Sequence, residues 1–146
     1  MIVRCRTNVI EEIADVELRE HILEHVHLAE VDLRVGHCYP VLGVLFRDGV
    51  PWFLVCEDPK DDFPKTHCSA LFDIEEGCVP EGWQLSLGSS NVGNNAILPA
   101  EWAEDGQFFE KLVDGDAEAV RVFQTIKCRY GVGTNGARRG RRRLSC

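Results

Sequence analysis

The chain is short of several things, and each shortage removes a class of function. It has one methionine and two tyrosines in 146 residues, and no apolar run reaches the roughly 18 residues that a membrane-spanning helix needs. The opening stretch MIVRCRTNVIEEIAD has no continuous apolar segment and meets acidic residues early. It does not read as a secretory signal, and a cytoplasmic location is expected. No HExxH, no GxSxG elbow and no CxxC pair occurs, so the spacings that mark zinc proteases, α/β-hydrolases and thiol redox centres are missing. The seven cysteines (5, 38, 56, 68, 78, 128 and 146) are odd in number, and reduced, mostly buried thiols are expected rather than a disulfide framework.

Basic residues are scarce in the body of the chain. Five of the 16 lie between Arg138 and Arg143, leaving 11 basic against 24 acidic residues in 1–137, a charge of −13. An acidic body disfavours nucleic acid and suits a basic partner. The arginine run has no interleaved aromatic residue, so a flexible Gly/Arg-rich tail over 131–146 is expected. Gly131-Val132-Gly133-Thr134-Asn135-Gly136 matches GxGxxG literally. A dinucleotide site needs a strand before it and a helix after it, whereas here a helical pattern precedes and arginines follow.

What is present is a globular composition, 45% hydrophobic and 27% charged, long enough for one domain with a real core. The stretch Tyr39–Pro64 organises it. Two apolar runs, Val41–Phe46 and Trp52–Cys56, flank Asp48-Gly49, a hairpin signal because glycine accepts the positive φ of a tight turn. In the second run Trp52, Leu54 and Cys56 alternate with Phe53 and Val55. Both faces are apolar, which predicts an interior strand covered on both sides.

Around it, Met1–Cys5 reads as an edge strand and Val9–Val26 as helical, with Asp15 able to cap a second segment. Val31, Leu33 and Val35 alternate with charged residues as in a strand. Ser69–Ile74 and Trp83–Leu87 read as strands joined by an acidic turn, and residues 88–95 as a loop. A helix is predicted to start at Pro99-Ala100. Phe108, Phe109, Leu112 and Val113 make a short helix, and Asp116 begins a last one with Ala117, Val120, Phe123 (or Val122), Ile126 and Tyr130 on one stripe. The order predicts an α+β domain over 1–130, a mostly antiparallel sheet of about five strands with an N-terminal helix and C-terminal helices packed on it.

After the hairpin, Glu57, Asp58, Asp61, Asp62 and Phe63 crowd a proline-containing loop. Carboxylates on a loop directly after a buried strand suit a solvated recognition rim better than acid–base catalysis. Phe63, with an exposed edge of Trp83 or Trp102, is the candidate aromatic anchor. His21 and His25 stand four apart on a predicted helix, with His27 nearby, a spacing that can present two imidazoles to one metal. His37-Cys38 and His67-Cys68 are further candidate ligands, and surface or capping roles are the default for all of these histidines. No catalytic residue, cofactor or metal ligand is assigned.

The pattern Gly43-x-x-Phe46-x-x-Gly49-x-Pro51-Trp52-Phe53-x-Val55-Cys56 is followed by Phe63-Pro64 and Leu71-Phe72-Asp73-Ile74. Leu98-Pro99-x-x-Trp102 and Phe108-Phe109-x-x-Leu112-x-Asp114-Gly115 come later. Together they resemble a family of small, acidic, uncharacterised bacterial proteins, some of which are similar to immunity proteins of contact-dependent or polymorphic toxin systems. The resemblance spans residues 39–130, and the basic tail departs from it. It implies a non-enzymatic module that neutralises a toxin by covering its active surface, docking on a basic protein domain. The alternatives are a small cysteine/histidine or zinc-dependent hydrolase and an RNA-associated protein acting through the tail. The last predicts RNA binding that weakens steeply with salt and vanishes when residues 138–146 are deleted, measured by a salt-series filter-binding assay.

Overall fold

A computed structural model describes residues 1–26, 31–88 and 95–132. The hairpin forms where Asp48-Gly49 predicts it. Strands β3 (Gly43–Arg47) and β4 (Val50–Val55) pair antiparallel, with Leu45 opposite Trp52 and Arg47 opposite Val50. Asp48 (φ 50°) and Gly49 (φ 82°) both lie in the left-handed region, giving the two-residue turn whose twist matches the strands beside it. Alternation from the closing Arg47–Val50 pair makes Phe46 and Pro51 a pair without ladder hydrogen bonds. The strand on the other side of β4, β5 (Lys65–Cys68), ends opposite Trp52. Pro51 therefore sits where no ladder donor is needed.

β4 is interior. With β7 (Trp83–Ser86) and β8 (Asn95–Pro99) the large sheet has the order β5-β4-β3-β8-β7, and every residue from Trp52 to Cys56 is buried. A second sheet, order β2-β1-β6, is made by β1 (Ile2–Cys5), β2 (Cys38–Pro40) and β6 (Phe72–Glu76). The chain passes between the sheets at Val41-Leu42, both fully buried. There the Val41 N–H donates to Met1 O (3.2 Å) and the Leu42 N–H to Leu54 O (2.8 Å). It passes again at a 3-10 turn, Ser69–Leu71, whose Leu71 O accepts from the Arg6 N–H at 2.8 Å.

Side-chain alternation assigns the layers. Phe53 meets Phe72 with ring centroids 5.8 Å apart, and Phe72 also meets Tyr39 and His67, so the three-stranded sheet covers one face of β4. On the other face α1 (Val16–His25) lays His21 and His25 against the Trp52 indole. At the far end of that face, α4 (Ala117–Tyr130) brings Lys127 toward Cys56. Asp15 caps α1 by accepting from the Leu18 N–H at 3.1 Å. Asp116 caps α4, its Oδ1 accepting from the Glu118 and Ala119 N–H groups; such caps satisfy donors with no partner inside the helix. The short α2 (Ala100–Ala103) and α3 (Phe108–Val113) hold Trp102 among Phe108, Phe109 and Phe123.

The α+β class holds, with antiparallel pairing in every described ladder. The strands described number eight, and three of them leave the five-stranded sheet for a second one. Met1–Cys5 is not an edge: β1 is the centre of the small sheet, because β2 and β6 take its two sides. Residues 31–35 are not a strand. The Val31 N–H donates to Asn8 O, the Asn8 side-chain amide donates to Leu33 O, and the Leu33 N–H donates to Val31 O, so bonds to Asn8 and one turn bond pin a loop that still buries Val31 and Leu33. The predicted helix over 9–26 splits into a 3-10 turn, Ile10–Glu12, and α1. The buried stripe of α4 runs through Ala119, Phe123, Ile126 and Lys127, with Ala117 exposed. Residues 133–146, with most of the expected tail, lie outside the described residues.

Gly43 marks the tightest packing. A Cβ there would lie 2.6 Å from Leu98 Cδ2 and 2.8 Å from Leu54 Cδ1, and both leucines are too buried to swing away. Gly43→Ala is expected to cost about 1–3 kcal/mol by overpacking, read as a lower urea midpoint at unchanged slope.

Candidate functional site

Residues 57–64 leave the end of β4 and return as β5. Aspartate side chains shape this loop by bonding nearby backbone. The Lys60 N–H donates to Asp58 Oδ1 (2.8 Å), the Asp58 N–H to Asp61 Oδ2 (3.0 Å) and the Asp61 N–H to Asp58 O (3.0 Å). Two further anchors come from opposite layers. From the helical side, Lys127, only 4% exposed, donates from Nζ to Pro59 O (2.7 Å) and Asp61 O (2.8 Å). Its buried charge is thus met by two carbonyl dipoles.

From the side of the small sheet, the Glu57 side chain is 8% exposed and bonds Lys65. Its Oε1 lies 3.0 Å from His67 Nε2. Burial pushes the Glu57 carboxyl up, yet His67 and Lys65 outweigh it and hold it below its ordinary value. The Lys65 ammonium is correspondingly held up by its hydrogen bond to Glu57.

Of the five residues predicted to meet a partner, Asp58, Asp62 and Phe63 face solvent. Asp61 is half-buried with its carboxylate turned to the Asp58 N–H, and Glu57 points inward. Phe63 stands on Phe109 edge to face, centroids 6.4 Å apart. Trp102 is no surface anchor, because it is 2% exposed at the centre of the helical layer. Trp83 is half-buried against Tyr130.

The histidines separate. His21 and His25 come together with ring centroids 4.9 Å apart. The hairpin turn adds Asp48, whose Oδ2 lies 3.8 Å from His21 Nδ1 and 4.0 Å from His25 Nε2. His37 is exposed beside Tyr39. His67 is not a surface residue but is buried with Glu57. His27 lies outside the described residues. Sequence reasoning missed Asp48 and Lys127. The only available signals were an aspartate at the tip of a hairpin and a lysine four residues after Phe123 on an apolar stripe.

Cys5, Cys56 and Cys68 are buried free thiols, Cys38 and Cys128 are exposed free thiols, and Cys78 is held in a disulfide, contrary to the expectation of reduced cysteines. Burial pushes the Cys5 and Cys68 thiols up and that of Cys56 up to about 12, the opposite of what a nucleophile needs. His67 and Cys68 are successive strand residues and face opposite sides of the sheet. An open cleft of about 240 Å³ between α2, α3 and α4 is lined by Glu101, Asp105 and Glu118. Those carboxylates are taken by Arg129, Lys111 and Arg121.

Two outcomes are expected. Glu57→Gln should cost about 1–2 kcal/mol by removing the buried carboxylate that bonds the half-exposed Lys65 and lies against His67. Because the folded carboxyl titrates below the ordinary value of 4.5, its stabilisation is complete above that pH and lost as pH falls through the lower folded value. Urea melts at neutral and acid pH should therefore show a smaller acid loss in the variant. In the native protein, brief alkylation with peptide mapping should label Cys38 and Cys128 and spare Cys5, Cys56 and Cys68 until the chain is unfolded. Comparison of the chain with protein-family models, with curated proteins and with solved structures finds no match.

Proposed function

We propose that this protein is a non-enzymatic binding module that docks a basic protein domain on the rim formed by Asp58, Asp62 and Phe63. The reading rests on one observation above the rest: these three side chains are exposed on a loop whose backbone is fixed from two layers by Lys127 and Glu57. A loop ordered before contact loses little conformational entropy on binding. The negative body steers a positively charged partner toward it and helps select that partner. Phe63 supplies the apolar centre that aspartates alone lack. The resemblance to immunity proteins of polymorphic toxin systems supports a basic toxin domain as the partner. The absence of a low-pKa thiol among Cys5, Cys56 and Cys68 removes support from a cysteine-hydrolase reading.

The test is calorimetric titration against the product of the adjacent gene, which the proposal requires to carry a basic domain. Binding should weaken as salt rises. Asp62→Lys, and separately Phe63→Ala, should each raise Kd about tenfold or more while the melting temperature stays within a few degrees. Absence of binding, or affinity indifferent to both variants, would remove the proposal.

A further inference from the structure

The other end of β4 carries a different chemistry. His21 and His25 project from one face of α1, as residues four apart must, over the indole of Trp52. The β3–β4 turn delivers Asp48 to the same point, and one ligand atom of each residue lies within 4.8 Å of the others. The geometry points to a site for a divalent transition-metal ion of the zinc class, held by His21, His25 and Asp48 with at least one position open to water.

Four observations carry this. First, the donor set of two imidazoles and a carboxylate is one that zinc accepts in sites that keep an open position. Second, the separations suit an absent ion better than direct bonds. Contacts of 3.8 and 4.0 Å exceed a hydrogen bond. A tetrahedral ion with bonds of about 2.0–2.1 Å sets its ligand atoms about 3.3–3.5 Å apart, so the two Asp48 separations must close by about 0.3–0.7 Å, and the separation of the two imidazole nitrogens, which is within 4.8 Å, by up to about 1.5 Å. Third, His21 is only 15% exposed at its side chain, yet the nitrogen it turns to the cluster, Nδ1, meets Asp48 only at 3.8 Å, beyond hydrogen-bond length; its Nε2, on the opposite edge of the ring, is no part of the site. Buried imidazoles are rarely left so. Fourth, as ion pairs these contacts would contribute little, since the Asp48 carboxylate is 79% exposed. The carboxylate and His25, 32% exposed, are the parts free to close on an ion.

The test uses the full chain purified without a histidine tag. Zinc should bind at one equivalent by calorimetry. At hundredfold excess over Kd it should raise the melting temperature by about 5–10 °C. Cobalt(II) should give a d–d spectrum without sulfur-to-metal charge transfer. His25→Ala and Asp48→Asn, the second keeping a residue that tolerates the left-handed turn, should each weaken zinc at least about tenfold; Asp48→Asn should leave the metal-free melting temperature unchanged, whereas His25→Ala, which also loses the ring contact with Trp52, should lower it by a few degrees. Sub-stoichiometric zinc, a cobalt spectrum with thiolate charge transfer, or affinity unchanged in both variants would each overturn the assignment. None of these results depends on whether a protein partner docks at Asp58 and Phe63.

Discussion

The structure depends on one strand that must be covered on both faces. β4 carries Trp52, Leu54 and Cys56 on one side and Phe53 and Val55 on the other, all buried. A strand of this kind cannot stand at an edge or face water on either side. β3 and β5 close its two edges, and the three-stranded sheet closes the face of Phe53 through Phe72 and Tyr39. The helices close the face of Trp52. The two passages of the chain between sheets, at Val41-Leu42 and at Ser69–Leu71, follow from this arrangement, since one chain must supply both layers. Gly43 belongs to it as well, because Leu54 and Leu98 already fill the space that a Cβ would take.

Both candidate sites are consequences of where that strand ends. Six residues at about 3.3 Å each set its ends about 20 Å apart. At one end the chain reverses through Asp48-Gly49, and α1, needed to cover Trp52, brings two histidines to the turn. At the other end the chain emerges as an acidic loop. The layers that cover β4 reach past it there, with Lys127 from α4 on one side and the Glu57, Lys65 and His67 group on the other. The core and the rims are one arrangement of layers.

The hairpin, the interior position of β4 and the caps at Asp15 and Asp116 were legible in the sequence, because each rests on local chemistry: a turn residue, a run of alternating side chains, an acid ahead of a helix. What was not legible rests on pairing at long range. β1 looks like an edge because it is short, but its rank in the sheet is decided by Cys38–Pro40 and Phe72–Glu76. Residues 31–35 alternate as a strand does, but no partner strand is offered, and Asn8 O, Val31 O and the Tyr39 hydroxyl take the N–H groups of Val31, Leu33 and Arg34. β2, β5 and β8 are three to five residues long, too short for their pattern to stand out. In the loop, composition placed the carboxylates on a rim, but it gave no means of telling Glu57, which turns inward toward Lys65 and His67, from Asp58 and Asp62, which do not.

The two ends of β4 differ in how firmly they are held, and this difference has a physical consequence. The loop after β4 is tied by the buried Lys127 and Glu57, so its exposed side chains are presented from a backbone with little freedom left to lose. α1 is tied lightly: Ile22 is its one buried residue, and Val16 and Leu23 are 52% and 41% exposed. It is held besides by the Asp15 cap, the half-buried Leu18, the Arg19 side chain donating to Glu11 O at 3.2 Å, and the contact of His21 and His25 with Trp52. Local opening is favoured where buried apolar contacts are few, and a ligand that binds only the closed arrangement shifts that equilibrium by mass action. An ion shared by α1 and the β3–β4 turn would therefore act first on the order of the helix that supplies two of its ligands. A partner at the loop would meet a surface already formed.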